Sequence, residues 1–235
     1  WRSNFYFLGI FAVVLLVLEW IFSGETLDYF TPFRIQRITV VYIRMIRTVP
    51  FMIGLLMCGL AYGMVMMYNM TGPFIIEHTL HLSPVVAGYG SLILGLAWMA
   101  GGFLAKATIS HPFFKRVAIN LGFQLAFVII MLISLGYISN VYTLIFFAFI
   151  IQVAAGYTFT NFYTYCLTRF PRNAGIASGF AGGANYVLVS LLSSAIVFFL
   201  PAKDEYNLGY SYLILILLSV LVMGLLKAGK ESMET

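Results

Sequence analysis

Gln152, Gly156, Phe159 and Tyr163 recur at i, i+4, i+7 and i+11, the spacing that puts side chains on one face of a helix. An amide beside two aromatic rings can hydrogen-bond and stack, but it supplies neither a nucleophile nor a proton-transfer pair. The chemistry on offer is binding, and such a face suits a water-filled cavity. Thr158, Thr160 and Asn161 extend the hydrogen-bonding groups along the same segment. A second polar and aromatic set, Tyr62, Met66, Met67, Tyr68 and Asn69, occurs earlier in the chain. Adaptable methionine and aromatic walls fit a permissive site, although stripes of Met and Phe also serve as ordinary core or lipid-facing surface. Amides such as Gln152 and Asn185 have two readings, as cavity lining or as bonds between neighbouring helices worth about 1 kcal/mol.

Catalysis has little support. No paired acids, metal-ligand cluster or nucleophile-base set falls in one segment, and His78-x-x-His81 reads as an exposed loop pair. Cys58 and Cys166 read as small packing residues. Neither enzyme activity, a metal nor a cofactor is expected. Glu19 is the one acidic residue formally inside an apolar run. It either snorkels to the interface or acts as a proton or cation site.

The elements that carry these residues are long apolar runs at roughly 4–22, 48–68, 85–104, 117–138, 141–160, 175–200 and 208–226, each near the length of about 20 residues that crosses a bilayer. With 62% hydrophobic and 9% charged residues, a soluble chain would lack polar groups to cover its surface. An all-α polytopic membrane protein of seven transmembrane helices follows, with mean hydropathy +0.97.

Eleven of the 13 basic residues sit in alternate loops: Arg34, Arg37, Arg44 and Arg47; Lys106, Lys115 and Arg116; Arg169 and Arg172; Lys227 and Lys230. The other loops hold only Arg2 and Lys203, with Glu77, Asp204 and Glu205. The positive-inside rule then sets the N-terminus outside and the C-terminus in the cytoplasm, and the net charge of +5 needs no nucleic acid to explain it.

Between the first two spans the four arginines fall within about 140° of a helical wheel while Phe33, Ile35, Ile38, Val40, Tyr42, Ile43 and Ile46 fill much of the rest. This predicts a helix lying on the membrane surface, its arginines at anionic headgroups. Gly175, Gly179 and Gly183 repeat every four positions, as do Gly59 and Gly63, which predicts close helix packing and faces smooth enough for one helix to rock on another.

Trp1-Arg2, Gly24-Glu25-Thr26-Leu27, Thr71-Gly72-Pro73-Phe74-Ile75, Leu82-Ser83-Pro84 and the run Arg169-Phe170-Pro171-Arg172-Asn173-Ala174-Gly175-Ile176-Ala177-Ser178-Gly179 together resemble the major facilitator superfamily, more narrowly its bicyclomycin-resistance-like (Bcr/CflA type) drug:proton antiporters. The resemblance spans essentially the whole chain and implies helices six to twelve of a twelve-helix fold. Residues 1–22 would be the last helix of the N-terminal half, 23–47 the cytoplasmic amphipathic linker and 48–235 the C-terminal six-helix domain. It also implies export of small molecules by alternating access driven by proton influx, from the inner membrane, in partnership with the N-terminal half of the same transporter. Cavity candidates are then Tyr62, Met66, Asn69, Gln152, Phe159, Asn161 and Tyr163. Two departures stand out: Gly101-Gly102-Phe103-Leu104-Ala105-Lys106 lacks the family's acidic residue, and Thr160-Asn161 stand where the family often has Pro. The rival readings are a seven-helix receptor or retinal protein and a non-transporting membrane scaffold. No span holds a Schiff-base lysine, which counts against a retinal protein.

Overall fold

The computed structural model describes residues 2–23, 35–201 and 203–234, with the side chains of Arg37 and residues 229–234 left out. The readings made above on Trp1, on Gly24 through Leu27, on Phe33 and Arg34, and on the side chains of Arg37 and Lys230 lie outside the described residues. All described regular structure is helical: α1 (Arg2–Phe22), α2 (Ile35–Arg47), α3 (Val49–Phe74), α4 (Pro84–Ala107), α5 (Phe113–Ser134), α6 (Val141–Leu167), α7 (Ala174–Phe199) and α8 (Glu205–Glu234). A π turn, Ile75–Thr79, prolongs α3, and a 3-10 turn, Pro171–Asn173, precedes α7. Among the described residues seven helices, α1 and α3 to α8, are long and apolar enough to cross a membrane.

The chain divides into two compact units, 1–36 and 37–235. In the first, α1 is apolar all round and carries no buried residue, as expected of a span whose surroundings are lipid or other protein rather than water. Glu19 is exposed in its last turn. The second unit begins inside the expected linker, so most of α2 belongs to the bundle. Val41 and Met45 are buried, and Tyr42 meets Phe180 of α7 at a ring distance of 5.0 Å. Arg44, Arg47, Ile43 and Ile46 remain exposed. The apolar face of α2 is thus split: one edge packs on the bundle and the other stays free for lipid.

Several boundaries differ from expectation. The second span runs past 68 to Phe74 with Pro73 inside the helix, so Asn69-Met70-Thr71 is helical. Proline removes one backbone donor and crowds the preceding turn, and the chain accommodates this by widening into the π turn that follows. The fourth span starts at Phe113, directly after Pro112, and the fifth runs on to Leu167. Each helix therefore extends into the interfacial zone beyond its most apolar stretch.

Within the second unit the main packed pairs are α4–α6, α3–α6, α3–α8, α3–α7, α5–α8 and α5–α6. Exchange α3, α4 and α5 for α6, α7 and α8 and this set maps onto itself. α3 starts at the end of the bundle where Arg44, Arg47, Arg116, Arg169 and Arg172 gather, whereas α6 starts at the opposite end, near Glu205. Two three-helix repeats of opposite direction therefore build the unit, the architecture of an inverted repeat. The first-named end is called the basic end below.

A candidate binding face at the inverted-repeat seam

The orientation of α6 is fixed at three places. Its first turn is closed by a capping box in which the Asn140 side chain accepts from Tyr142 N and Thr143 N at 2.9 and 3.0 Å, while Asn140 N donates to Thr143 Oγ1 at 3.2 Å. On one side α5 supplies two amides a turn apart. Gln124 donates to the Ile151 carbonyl at 3.1 Å and lies 3.0 Å from Met64 Sδ, and Asn120 donates to the Ala154 carbonyl and to Thr158 Oγ1, both at 2.9 Å. On another side, α4 crosses at a pair of glycines. A Cβ on Gly101 would come to 2.2 Å from the Val153 carbonyl oxygen, and one on Gly156 to 2.5 Å from that of Trp98. With the flanks at 151, 154, 158 and 156 thus occupied, Phe159 and Tyr163 are turned toward α3 and its neighbours.

There they meet an aromatic cluster drawn from four helices. Phe159 and Tyr163 stack at 5.5 Å with 10° between planes. Trp98 of α4 lies 5.2 Å from Phe159, and Tyr62 of α3 touches Trp98 at 5.7 Å, Phe159 at 6.1 Å and Tyr186 of α7 at 6.2 Å. These spacings are those of offset and edge-to-face aromatic pairs. Tyr62, Trp98, Phe159 and Tyr163 are half-buried and Tyr186 is exposed, so the cluster has a packed back and an open front.

Two buried amide oxygens on the helices that build this cluster have no partner. Gln152 Oε1 and Asn185 Oδ1 are both buried without a hydrogen bond. Asn185 lies on α7 beside Tyr186, within 3.9 Å of where a Cβ on Gly59 of α3 would sit. An unpaired buried acceptor costs about 1–3 kcal/mol, so neither oxygen acts as interhelical glue here, whereas Gln124 and Asn120 do.

The other expected residues are distributed differently. Met66 is half-buried one turn beyond Tyr62, and Asn69 is exposed further along α3. Asn161 is buried but donates to the Tyr157 carbonyl of its own helix at 2.9 Å. It faces a separate cavity of about 590 Å³ at the basic end, shared with Arg116 and Arg169. Gly156 presents no open surface, because it is pressed against the α4 backbone. Gly59 does lie close to α7, with Leu188 Cβ 3.2 Å from its would-be Cβ, and Gly63 lies close to Leu215 of α8. Gly175, Gly179 and Gly183 are exposed, and a Cβ on any of them would meet nothing described within 4 Å. The close crossing expected of that stripe is realised instead at Gly101 and Gly156. Glu19 lies in the other unit. Lys106 is exposed at the basic end of α4.

Trp98, Tyr186 and the pairing of Gly101 with Gly156 were not legible in the sequence, since nothing in spacing along one helix reveals which residue of another helix stands opposite. Asn120 and Gln124 did carry a signal: two amides at i and i+4 in an otherwise apolar span mark a bonded helix face.

The major facilitator superfamily model matches residues 1–194. The chain belongs to the major facilitator superfamily. It is therefore a multi-pass integral membrane protein of a transporter family, with the all-helical architecture that the apolar runs required. No curated protein matches the chain.

Proposed function

We propose that this chain is the C-terminal six-helix half, with the helix before it, of a major facilitator transporter that exports small amphipathic molecules by alternating access. The observation that carries the reading is the half-open aromatic cluster of Tyr62, Trp98, Phe159 and Tyr163, with the unpartnered oxygen of Asn185 beside it and that of Gln152 two turns along α6 from Phe159. A stacked aromatic wall takes flat apolar or cationic molecules without strict shape selection, and an acceptor already stripped of water gains a partner when a donor-bearing substrate arrives. Helices α3 and α6, the first of each repeat, supply most of the wall, and midplane sites at the repeat interface are general in such transporters.

In this reading α1 ends the N-terminal half, α2 is the linker along the cytoplasmic surface, the basic end faces the cytoplasm by the positive-inside rule, and the membrane is the inner membrane. Substrate export is coupled to inward proton flow of the Bcr/CflA type. Few acidic residues occur in the spans, so the proton-carrying groups belong mainly to the N-terminal partner half, with Glu19 the candidate on this chain.

The test is Gln152→Ala in the transporter assembled from both halves. A cavity role predicts a shift in apparent substrate affinity equivalent to about 0.5–1.5 kcal/mol, one hydrogen bond, with folded yield unchanged. Loss of folded yield with an unaltered substrate profile would show Gln152 to be structural. Proton-driven efflux by the 235-residue chain alone, in vesicles, would refute the dependence on a partner half.

A further inference from the structure

The cavity of about 590 Å³ at the basic end stands apart from the aromatic cluster and runs from Arg169 to Asn161 along α6, eight residues or about 12 Å at helical rise. Its volume falls within the usual range for small-molecule sites. The wall is mixed in a particular way. Ile53, Phe113, Phe114 and Leu225 give it an apolar body, Arg116 and Arg169 stand in its lining, and none of the described lining residues is acidic. The Arg116 guanidinium donates Nη1 to the Thr108 carbonyl at 2.8 Å, yet its Nε is buried with no acceptor. Arg169 lies over the Tyr165 ring, 4.5 Å from its centre, and bonds the Tyr165 hydroxyl, a neutral group; among the described residues no acidic side chain pairs with it. α3 and α5 begin at this cavity without a side-chain cap, but α6 ends there, so it is the arginines and not the helix dipoles that set its positive sign.

We infer that this cavity binds an anionic amphiphile, its acid head between Arg116 and Arg169 and its apolar chain along Ile53, Phe113, Phe114 and Leu225. A carboxylate or phosphate supplies the acceptor and the counter-charge that the described residues do not give Arg116 Nε and Arg169. A small hydrophilic anion would satisfy the arginines but leave the aromatic and aliphatic wall unoccupied, and a neutral lipid would do the reverse. The depth also matches the placement. Arg169 lies just past the end of α6 and Arg116 in the first turn of α5, the level of the headgroups, with Phe113 and Phe114 beside them and Ile53 and Leu225 further down the helices toward the hydrocarbon. The same chemistry is offered by an anionic phospholipid from the bilayer and by a single-chain acid from water.

The chain is placed in phosphatidylcholine nanodiscs containing phosphatidylglycerol with a photoreactive acyl chain, and the labelled peptides are mapped. Label concentrated on the peptides holding Phe113, Phe114 and Leu225 is the expected result. Arg169→Gln and Arg116→Gln are expected to lower that labelling about fivefold each, the equivalent of one arginine-headgroup contact. Ile53→Trp, which narrows the apolar part of the cavity with both arginines intact, lowers it as well. Lys115→Gln, at an exposed residue outside the lining, leaves it unchanged. Added laurate that displaces the label shows that the site accepts an acid from water; label that stays identifies the bilayer lipid as the occupant. Label spread evenly over the lipid-facing helices, or a loss on Lys115→Gln equal to that on Arg169→Gln, overturns the inference. Should Arg116→Gln fail to fold, Arg169→Gln and Ile53→Trp decide it.

Discussion

Alanine at Gly101 tests how far the binding face depends on one helix crossing. The added Cβ would stand 2.2 Å from the Val153 carbonyl oxygen and 2.7 Å from Tyr157 N, where ordinary contact begins at 3.4 Å. Both obstacles are backbone, so no side chain can swing away; α4 and α6 must part by about 1 Å. A radial gap of that size forfeits about a quarter to a half of the dispersion attraction of the atoms that line it. Overpacking of this kind costs about 1–3 kcal/mol. Gly156→Ala strains the same crossing from the α6 side, against the Trp98 carbonyl at 2.5 Å, so the double variant should lose clearly less than the two single losses added. Thermal unfolding of the purified chain in nanodiscs reads the effect. Gly179→Ala and Gly183→Ala are the controls, since a Cβ there meets open space. Because Trp98 sits on α4 against Phe159, Gly101→Ala should also alter Trp98 fluorescence, which the controls should not. A Gly101→Ala chain as stable as the wild type, or additive losses in the double variant, would refute the reasoning.

Gln124→Leu should cost about 1 kcal/mol, as its bond to the Ile151 carbonyl is lost, whereas Gln152→Leu should leave stability equal or higher because it removes an unpartnered buried oxygen; paired unfolding curves separate the two. Asn140→Ala, which removes the cap of α6, should cost about 1 kcal/mol by the same measurement. For topology, single cysteines at Ser139 and Lys203 should react with an impermeant maleimide from outside the cell, and those at Ser110 and Arg172 only after permeabilisation. The native Cys58 and Cys166 are buried and should contribute little background; one reversed site breaks the proposed orientation.

The spans, the charge asymmetry and the amphipathic α2 were legible because each is a property of one helix against one solvent. Hydropathy located α3, but its extension through Pro73 into a π turn depends on backbone accommodation that composition does not encode. The Phe159 and Tyr163 face was legible from spacing alone, yet its partners Trp98 and Tyr186 belong to other helices, and periodicity does not say which faces meet. The glycines show the same limit. Gly175, Gly179 and Gly183 carry the regular repeat but pack on nothing described, while the tight crossing uses Gly101 and Gly156, 55 positions apart with no repeat between them.

The two buried thiols bond reciprocally across the seam between the repeats: Cys58 of α3 toward the Phe159 carbonyl of α6 at 3.9 Å, and Cys166 of α6 toward the Phe51 carbonyl of α3 at 3.6 Å. Thiols are weak donors, so among the described residues α3 and α6 are joined, beyond their apolar packing, only by polar links that release cheaply, while α6 is held to α4 by backbone against backbone and to α5 by amide bonds. Under load the bundle would therefore yield unequally, with α4, α5 and α6 travelling as one block and α3 slipping along it. Phe159, whose carbonyl receives one thiol and whose ring meets Tyr62, rides on that sliding contact, so any slip of α3 along α6 changes the shape of the aromatic wall directly.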